Sequence, residues 1–285
     1  MEGYQISEDD KTKIRETFDV TESEVKVRIK QLQKWAKDLP HLPQESQEEA
    51  FLEIMLLRGK FKDEFVKPNI ENYFKCLAKH PDIFLKLGKF KPSEEVGVVV
   101  VSPKFTSNYE RIVVLKLSPK NLATKKFDIN QMILVVVTTA MIMYNNDYLP
   151  SIRFVLDFEG ISVFDVFKVN IRDMFKLVYI TEKMLRIRIS GFELINTPRI
   201  LTAILAIAKV LLKPKMFMRI TAHSDLSSVY NNIPKECLPS DYGGGSQSSE
   251  NLIELWDHIL ETQHQFFEKI AILAKHQSEI SKRKT

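Results

Sequence analysis

Between Thr21 and Pro40 the stretch "TESEVKVRIKQLQKWAKDLP" places apolar side chains at Val25, Ile29, Leu32 and Ala36. Steps of three and four gather them on one face of a helix. Thr21 and Ser23 are candidate caps with Glu24 close by, and Pro40 marks the end. In "SQEEAFLEIMLLRGKF" the apolar face is Phe51, Leu52, Met55 and Leu56. Ser46 and Glu49 there have capping-box spacing, and Gly59 is the stop. "KDEFVKPNIENYFKCLAKHP" predicts a third helix with Phe65, Ile70, Phe74 and Leu77 inward, and Pro68 either in its first turn or at a break.

The pattern changes in "KPSEEVGVVVVSPKF", Lys91 to Phe105. Its valine run suits a strand or a short buried helix, and periodicity does not separate the two. Beyond it strands and helices alternate. "YERIVVLKLS", "SIRFVLDFEG", "RIRISGFELIN" and the short "MFMRITAH" read as strands. "DINQMILVVVTTAMIMYNND", capped by Asp128, and "VNIRDMFKLVYITEKML", capped by Asn170, read as helices. This order predicts an α/β fold: a mostly parallel sheet with crossover helices. "ENLIELWDHILETQHQFFEKIAILAKH" predicts a long C-terminal helix, in one piece or two, before a frayed tail "QSEISKRKT". The expected units are an N-terminal helical domain over 1–92, an α/β lobe over 93–248 and a C-terminal helical extension over 249–285.

One helix breaks the amphipathic rule. "RILTAILAIAKVLLK", Arg199 to Lys213, is apolar almost all round, interrupted between its basic ends by Thr202 and Lys209. Such a helix spans a membrane, lies in a core, or covers something apolar. A span needs about 18–20 apolar residues. This run is shorter and closes at Pro214, and "MILVVVTTAMIMY" (Met132 to Tyr144) is also short. Core helix and lid remain.

Composition narrows the class. The chain has 285 residues, 44% hydrophobic and 27% charged, with net charge +4. That is a soluble globular profile with enough apolar residues for a sizeable core. A pI near 8.8 is too mild to argue nucleic acid, and fits an anionic membrane surface if the bases cluster. The polar start "MEGYQISEDDKTK" has no apolar stretch, so it is not expected to act as a signal peptide. Cys76 and Cys237, each in an apolar setting, read as buried free thiols of a cytoplasmic protein, with a disulfide as the alternative.

Catalytic signals are lacking. There is no G-x-G-x-x-G after a strand, P-loop, G-x-S-x-G or C-x-x-C. None of the six histidines pairs at i, i+4 with a third ligand in sight, so no metal is expected. His223 follows a strand, where α/β sites often lie. Asp157 and Glu159 in "DFEG" form a strand-end pair, and an aspartate there ordinarily organises the next turn. No catalytic residue and no cofactor are assigned.

Four landmarks then occur in order: "IKQLQKWAKDLPHL…FLEIMLLRGKF", "IRFVLDFEG", "GFELINTP" before the apolar helix, and "LPSDYGG". The series resembles the CRAL-TRIO (Sec14-like) lipid-transfer family, in its branch of tocopherol and retinaldehyde carriers, from about Ile29 to Trp256. The resemblance implies a helical N-terminal domain on a lobe whose sheet floor and helices enclose an apolar pocket. It also implies that Ile200 to Leu212 form a mobile gate over a bound lipid. Matching positions make Leu134, Thr138, Ile152, Phe154, Leu156, Leu177, Ile180, Thr181, Ile187, Phe192, Leu201 and Leu205 candidate ligand contacts. On the strand, Ile152, Phe154 and Leu156 alternate onto one face, with Arg153 and Val155 on the other. Some relatives hold phosphoinositide headgroups in a basic cleft, where Arg188, Lys213, Lys215 and Arg219 stand at matching places. Ser190 and Leu57 depart from that pattern, each replacing a basic residue.

The expected protein is a monomeric, non-enzymatic carrier of a tocopherol-, retinoid-, carotenoid- or phospholipid-like ligand, exchanged at an anionic membrane without nucleic acid. A phosphoinositide-reading module is the first alternative. A hydrolase-like enzyme using Ser162, Asp157 or His223 is the second.

Overall fold

The computed structural model describes residues 4–89, 97–117, 129–167, 169–197 and 199–283. The chain opens with α1 (Glu8–Glu16), α2 (Glu22–Lys37), α3 (Glu49–Arg58), α4 (Asp63–Lys79) and a single turn, α5 (Pro81–Phe84). On α2 the predicted face is the buried face, and Thr21 and Glu24 form a reciprocal capping box. Two expectations nearby need correcting. Ser46 lies in a 3-10 turn (Gln44–Gln47), where its hydroxyl donates to the Pro43 carbonyl, so α3 starts without it. Phe65 is exposed, and Val66, Ile70, Phe74 and Leu77 carry the inner face of α4. Pro68 sits neither in the first turn nor at a break but inside α4, in its second turn, where its missing N–H forfeits one backbone bond.

The valine run is a strand, β1 (Gly97–Phe105), antiparallel to β2 (Glu110–Leu117). Then come α6 (Ile129–Asn146), β3 (Ser151–Asp157), α7 (Val163–Phe167) and α8 (Ile171–Tyr179). The expected cap of α6, Asp128, lies outside the described residues, as does the expected boundary at 92. Asn170 caps α8 as expected, its side-chain oxygen accepting from the Arg172 N–H. Past α8 the helix widens into a π segment, Ile180–Leu185. β4 (Arg188–Ile195), α9 (Leu201–Leu211), α10 (Pro214–Phe217) and β5 (Ile220–Ala222) complete the lobe. The described strands run β1-β2-β3-β4-β5 in space, parallel from β2 onward.

α11 (Ser249–Thr262) and α12 (His264–Arg283) are two helices that part at Gln263. The expected frayed tail is helical to Arg283, because Gln277 and Ser278 are buried. α12 packs along α4, and α11 on β1. One hydrophobic cluster therefore runs from α1–α5 through α6 and one sheet face to α11 and α12. A second covers the opposite face, where Val100, Ile112, Val114, Val155 and Ile195 meet residues of the 226–252 segment.

Candidate functional site: an apolar cavity on one sheet face

Parity on the strands builds the site. Residues paired across a parallel sheet point to the same side, so Val113, Phe154 and Phe192 share a face, as do Leu115, Leu156 and Leu194. Phe154 and Phe192 stack with ring centres 5.7 Å apart. On β4 the alternation is interrupted. Ile152 pairs with Ile189 but Arg153 with Gly191, so Ser190 is an extra residue. Its hydroxyl donates to the Ile152 carbonyl at 3.1 Å.

Between this face and α6 lies a cavity of about 40 Å³. β1 and β2 contribute Val99, Val113 and Leu115; β3 contributes Ile152 and Phe154. Val136, Thr139, Ala140 and Met143 line it from α6, Thr181 from the π segment, and Ile187 and Ile189 from around the start of β4. No lining side chain carries a charge. Thr181 donates within its own helix to the Leu177 or Val178 carbonyl, whereas the Thr139 hydroxyl is buried with no partner.

Of the sequence candidates, Ile152, Phe154, Thr181 and Ile187 meet at this cavity. Arg153 and Val155 lie on the opposite face, as alternation requires. Leu134 and Thr138 do not line it: the face of α6 is rotated to 136, 139, 140 and 143, and Thr138 is buried elsewhere in the helix packing. Leu156 and Phe192 share the cavity's sheet face without lining it, Ile180 is core, and Leu177 packs against the core. Leu201 and Leu205 are half-exposed on α9, outside the lining. Val99, Val113, Leu115 and Ile189 escaped prediction, because strand order and the Ser190 bulge set their side.

α9 resolves the choice between core and cover in part. None of its residues is buried, so it is no core helix. It packs on α8 and α7, and together they show an apolar surface. Phe164 is 80%, Phe167 72%, Val210 59% and Met218, just after α10, 82% exposed, and Phe175 of α8 is exposed as well. Of the four basic candidates, Lys213 pairs with Glu182 of the π segment at 2.5 Å. Arg219 donates to the Ile189 carbonyl. Arg188 and Lys215 are exposed, with no partner among the described residues.

The polar residues weighed for catalysis are not brought together. Asp157 Oδ1 accepts from the Glu159 N–H at 2.9 Å and from Asn196 Nδ2 at 2.7 Å, and Oδ2 accepts from the Tyr242 hydroxyl at 2.9 Å. Burial, then the Asp157 carboxylate, pushes the Tyr242 pKa up. Three of the four landmarks, "DFEG", "GFELIN" and "SDYGG", thus converge on one carboxylate. Ser162 caps α7 through Asp165. His223 bridges Glu193 at 2.7 Å and Ser228 at 2.8 Å on the face opposite the cavity. There Glu193 also takes Arg153, which in turn reaches Glu110. Cys76 and Cys237 are free and buried, and burial pushes their thiols up to about 12 and about 11. Among the described residues no His, Cys, Asp and Glu group is placed to hold a metal. No described helix is long and apolar enough to cross a membrane.

The match to known families settles the lineage. Residues 95–244 match the CRAL/TRIO domain, more than half of the chain. The chain belongs to the CRAL/TRIO family. Its relatives are in the tocopherol-transfer branch. An alpha-tocopherol transfer protein-like protein of Homo sapiens is 28% identical over 213 residues, covering 73% of this chain and 61% of that one. One of Mus musculus is 27% identical over 238 residues, covering 82% and 68%. The match thus spans about three-fifths of the human relative's length. The fold is shared with the crystal structure of Sfh5, at TM-score 0.52 and 13% identity over 91% of this chain and 98% of that one. CRAL/TRIO proteins bind lipophilic ligands and are typically non-enzymatic.

Proposed function

We propose that this CRAL/TRIO protein carries one neutral, largely apolar lipid in the cavity between α6 and the sheet, and exchanges it at membranes without catalysing a reaction. The observation that carries the reading is a cavity whose described walls are uncharged, in a family of lipophilic-ligand binders. Burying apolar ligand surface there is worth about 25 cal/mol per Å² before ordering costs. An ionised group taken inside would be strongly penalised. At about 40 Å³ the space is narrow, so a lipid has to push its walls outward.

The exchange surface is the apolar face shared by α7, α8 and α9. Its exposed aromatic and aliphatic side chains suit a bilayer interface, and Arg188 and Lys215 suit anionic headgroups. α9 acts as the gate: hydrocarbon replaces its water contacts at a membrane, so opening costs less there than in solution. A phosphoinositide-reading role is the second reading, supported by the exposure of Arg188 and Lys215. It is the weaker one, since Arg219 and Lys213 already have partners.

Organic extraction of the purified protein followed by mass spectrometry tests the carrier reading. One neutral lipid at near-stoichiometric amount is expected. Ala140→Trp, which fills the cavity from α6, is expected to abolish it while leaving the circular dichroism unchanged. A folded Ala140→Trp protein that still carries the lipid would place the cargo elsewhere.

A further inference from the structure

A second, smaller cavity of about 10 Å³ shares Met143 with the first. Its walls include Tyr4, Arg111, Asn146, Asp147 and Trp256. The Asp147 and Trp256 side chains are more than nine-tenths buried, and each leaves one polar atom unsatisfied. Asp147 Oδ2 accepts from Arg111 Nε at 2.8 Å, but Oδ1 has no partner. Trp256 Nε1–H has no acceptor. Buried polar groups are ordinarily paired, and an unpaired one calls for an explanation.

The two orphans are complementary. A carboxylate oxygen only accepts and an indole N–H only donates. A group that completes both must accept one hydrogen bond and donate another, in a space of about one water molecule. A cation is disfavoured by Arg111 in the same wall, and an anion by Asp147. We propose that this cavity binds a single hydroxyl oxygen, which accepts from Trp256 Nε1–H and donates to Asp147 Oδ1. Bound there, the oxygen joins α11 to the Asp147–Arg111 pair. Arg111 also holds the N-terminal segment through the Tyr4 carbonyl.

Two molecules offer that chemistry. One is water. The other is a lipid whose hydroxyl end reaches past Met143, an unbranched and adaptable side chain. The first source is independent of the carrier reading, and the second rests on it.

The test uses the full chain labelled with nitrogen-15. Trp35 and Trp256 are its two tryptophans, and Trp35→Phe identifies the Trp256 indole signal without touching the site. A water site gives a cross-peak between the Trp256 indole proton and bound water that survives additions of hexadecane and of hexadecanol. A cargo site gives loss of that cross-peak and a shift of the indole proton with hexadecanol but not with hexadecane. Trp256→Phe then lowers the preference for the alcohol over the alkane several-fold. Either pattern supports the oxygen site. An indole proton with no water cross-peak and no response to the alcohol overturns it. If neither lipid binds while the water cross-peak is present, the carrier reading fails and the oxygen site stands.

Discussion

Gly191 shows how much one position decides. A Cβ there would stand 2.5 Å from Arg153 Nη1. The missing side chain lets Arg153 lie across β4 and bond Glu193 at 2.6 Å and Glu110 at 3.0 Å. Gly191→Ala is expected to displace the guanidinium and leave Glu193, a fully buried carboxylate, short of a partner. The expected loss is about 1–3 kcal/mol, read from urea melts. An unchanged midpoint would mean that Arg153 finds another route. His80 supplies a pH dependence. Burial, reinforced by Lys79, lowers its pKa below the ordinary value, with Lys176 acting the same way and Asp82 against. The unfolded chain then takes up a proton near pH 6.5 that the folded protein resists. Where the unfolded state binds more protons, stability rises with pH. This contribution is therefore present above about pH 6.5 and lost on acidification below it. His80 packs edge-on against Tyr179, ring centres 5.6 Å apart. His80→Phe is expected to flatten the difference in stability between pH 7.5 and 5.5. An equal slope in the variant would assign the dependence to other groups.

At the scale of elements, the π segment faces two ways. Thr181 lines the cavity, and Glu182 holds Lys213 just past the end of α9. The pair is partly exposed, so its contribution to global stability is small, about 0–1 kcal/mol. Its effect on α9 is expected to be larger. Glu182→Gln should speed hydrogen exchange over residues 201–211 several-fold and leave β3 unchanged. Adding vesicles to the unmodified protein should likewise alter protection of α9 more than that of β3. If both segments respond alike, α9 does not move as a gate. The exposed positions of α9 are Thr202, Ala206, Lys209 and Val210, and its larger apolar side chains Leu201, Ile204, Leu205, Ile207 and Leu211 are half-buried, so a gate motion would expose mainly that second set.

For the whole molecule, the C-terminal helix is structural. Phe267, Ile270 and Leu273 are buried in the shared cluster. Three such side chains represent roughly 5–9 kcal/mol of burial as an upper estimate, comparable with the total stability of a typical domain. A chain ending at Gln263 is therefore expected to be largely unfolded by circular dichroism. Membrane contact belongs to this scale too. Replacing Phe164 and Phe167 with Ser is expected to weaken binding to neutral and anionic vesicles alike. Arg188→Glu with Lys215→Glu should weaken only the anionic case, by about 1 kcal/mol per charge near the surface, and less at high salt. Sedimentation with the two vesicle types separates these effects. Equal losses from both double variants on both membranes would count against the proposed surface.

Local physics was enough to read α2 with its capping box, the alternation on β3 and the Asn170 cap, since each depends on residues within a few positions. The family was legible only as a resemblance carried by ordered landmarks spread along the chain. The side of α6 that faces the cavity was not legible. That helix is apolar all round, so periodicity has no preferred face, and only packing against the sheet selected 136, 139, 140 and 143 over 134 and 138. Val99, Val113 and Leu115 could not be assigned before strand order was known, and Ile189 depended on the bulge at Ser190. Partners distant in sequence decided the rest. Asp157 waits on Asn196 and Tyr242, Lys213 on Glu182, and Trp256 meets Asp147 and Tyr4 only after three parts of the chain have closed around one small space. Sequence alone determined most of the elements and showed the resemblance to the family, which in turn implied an apolar pocket over the sheet. Tertiary structure decided which side chains reach that site, because facing direction is set by neighbours far along the chain.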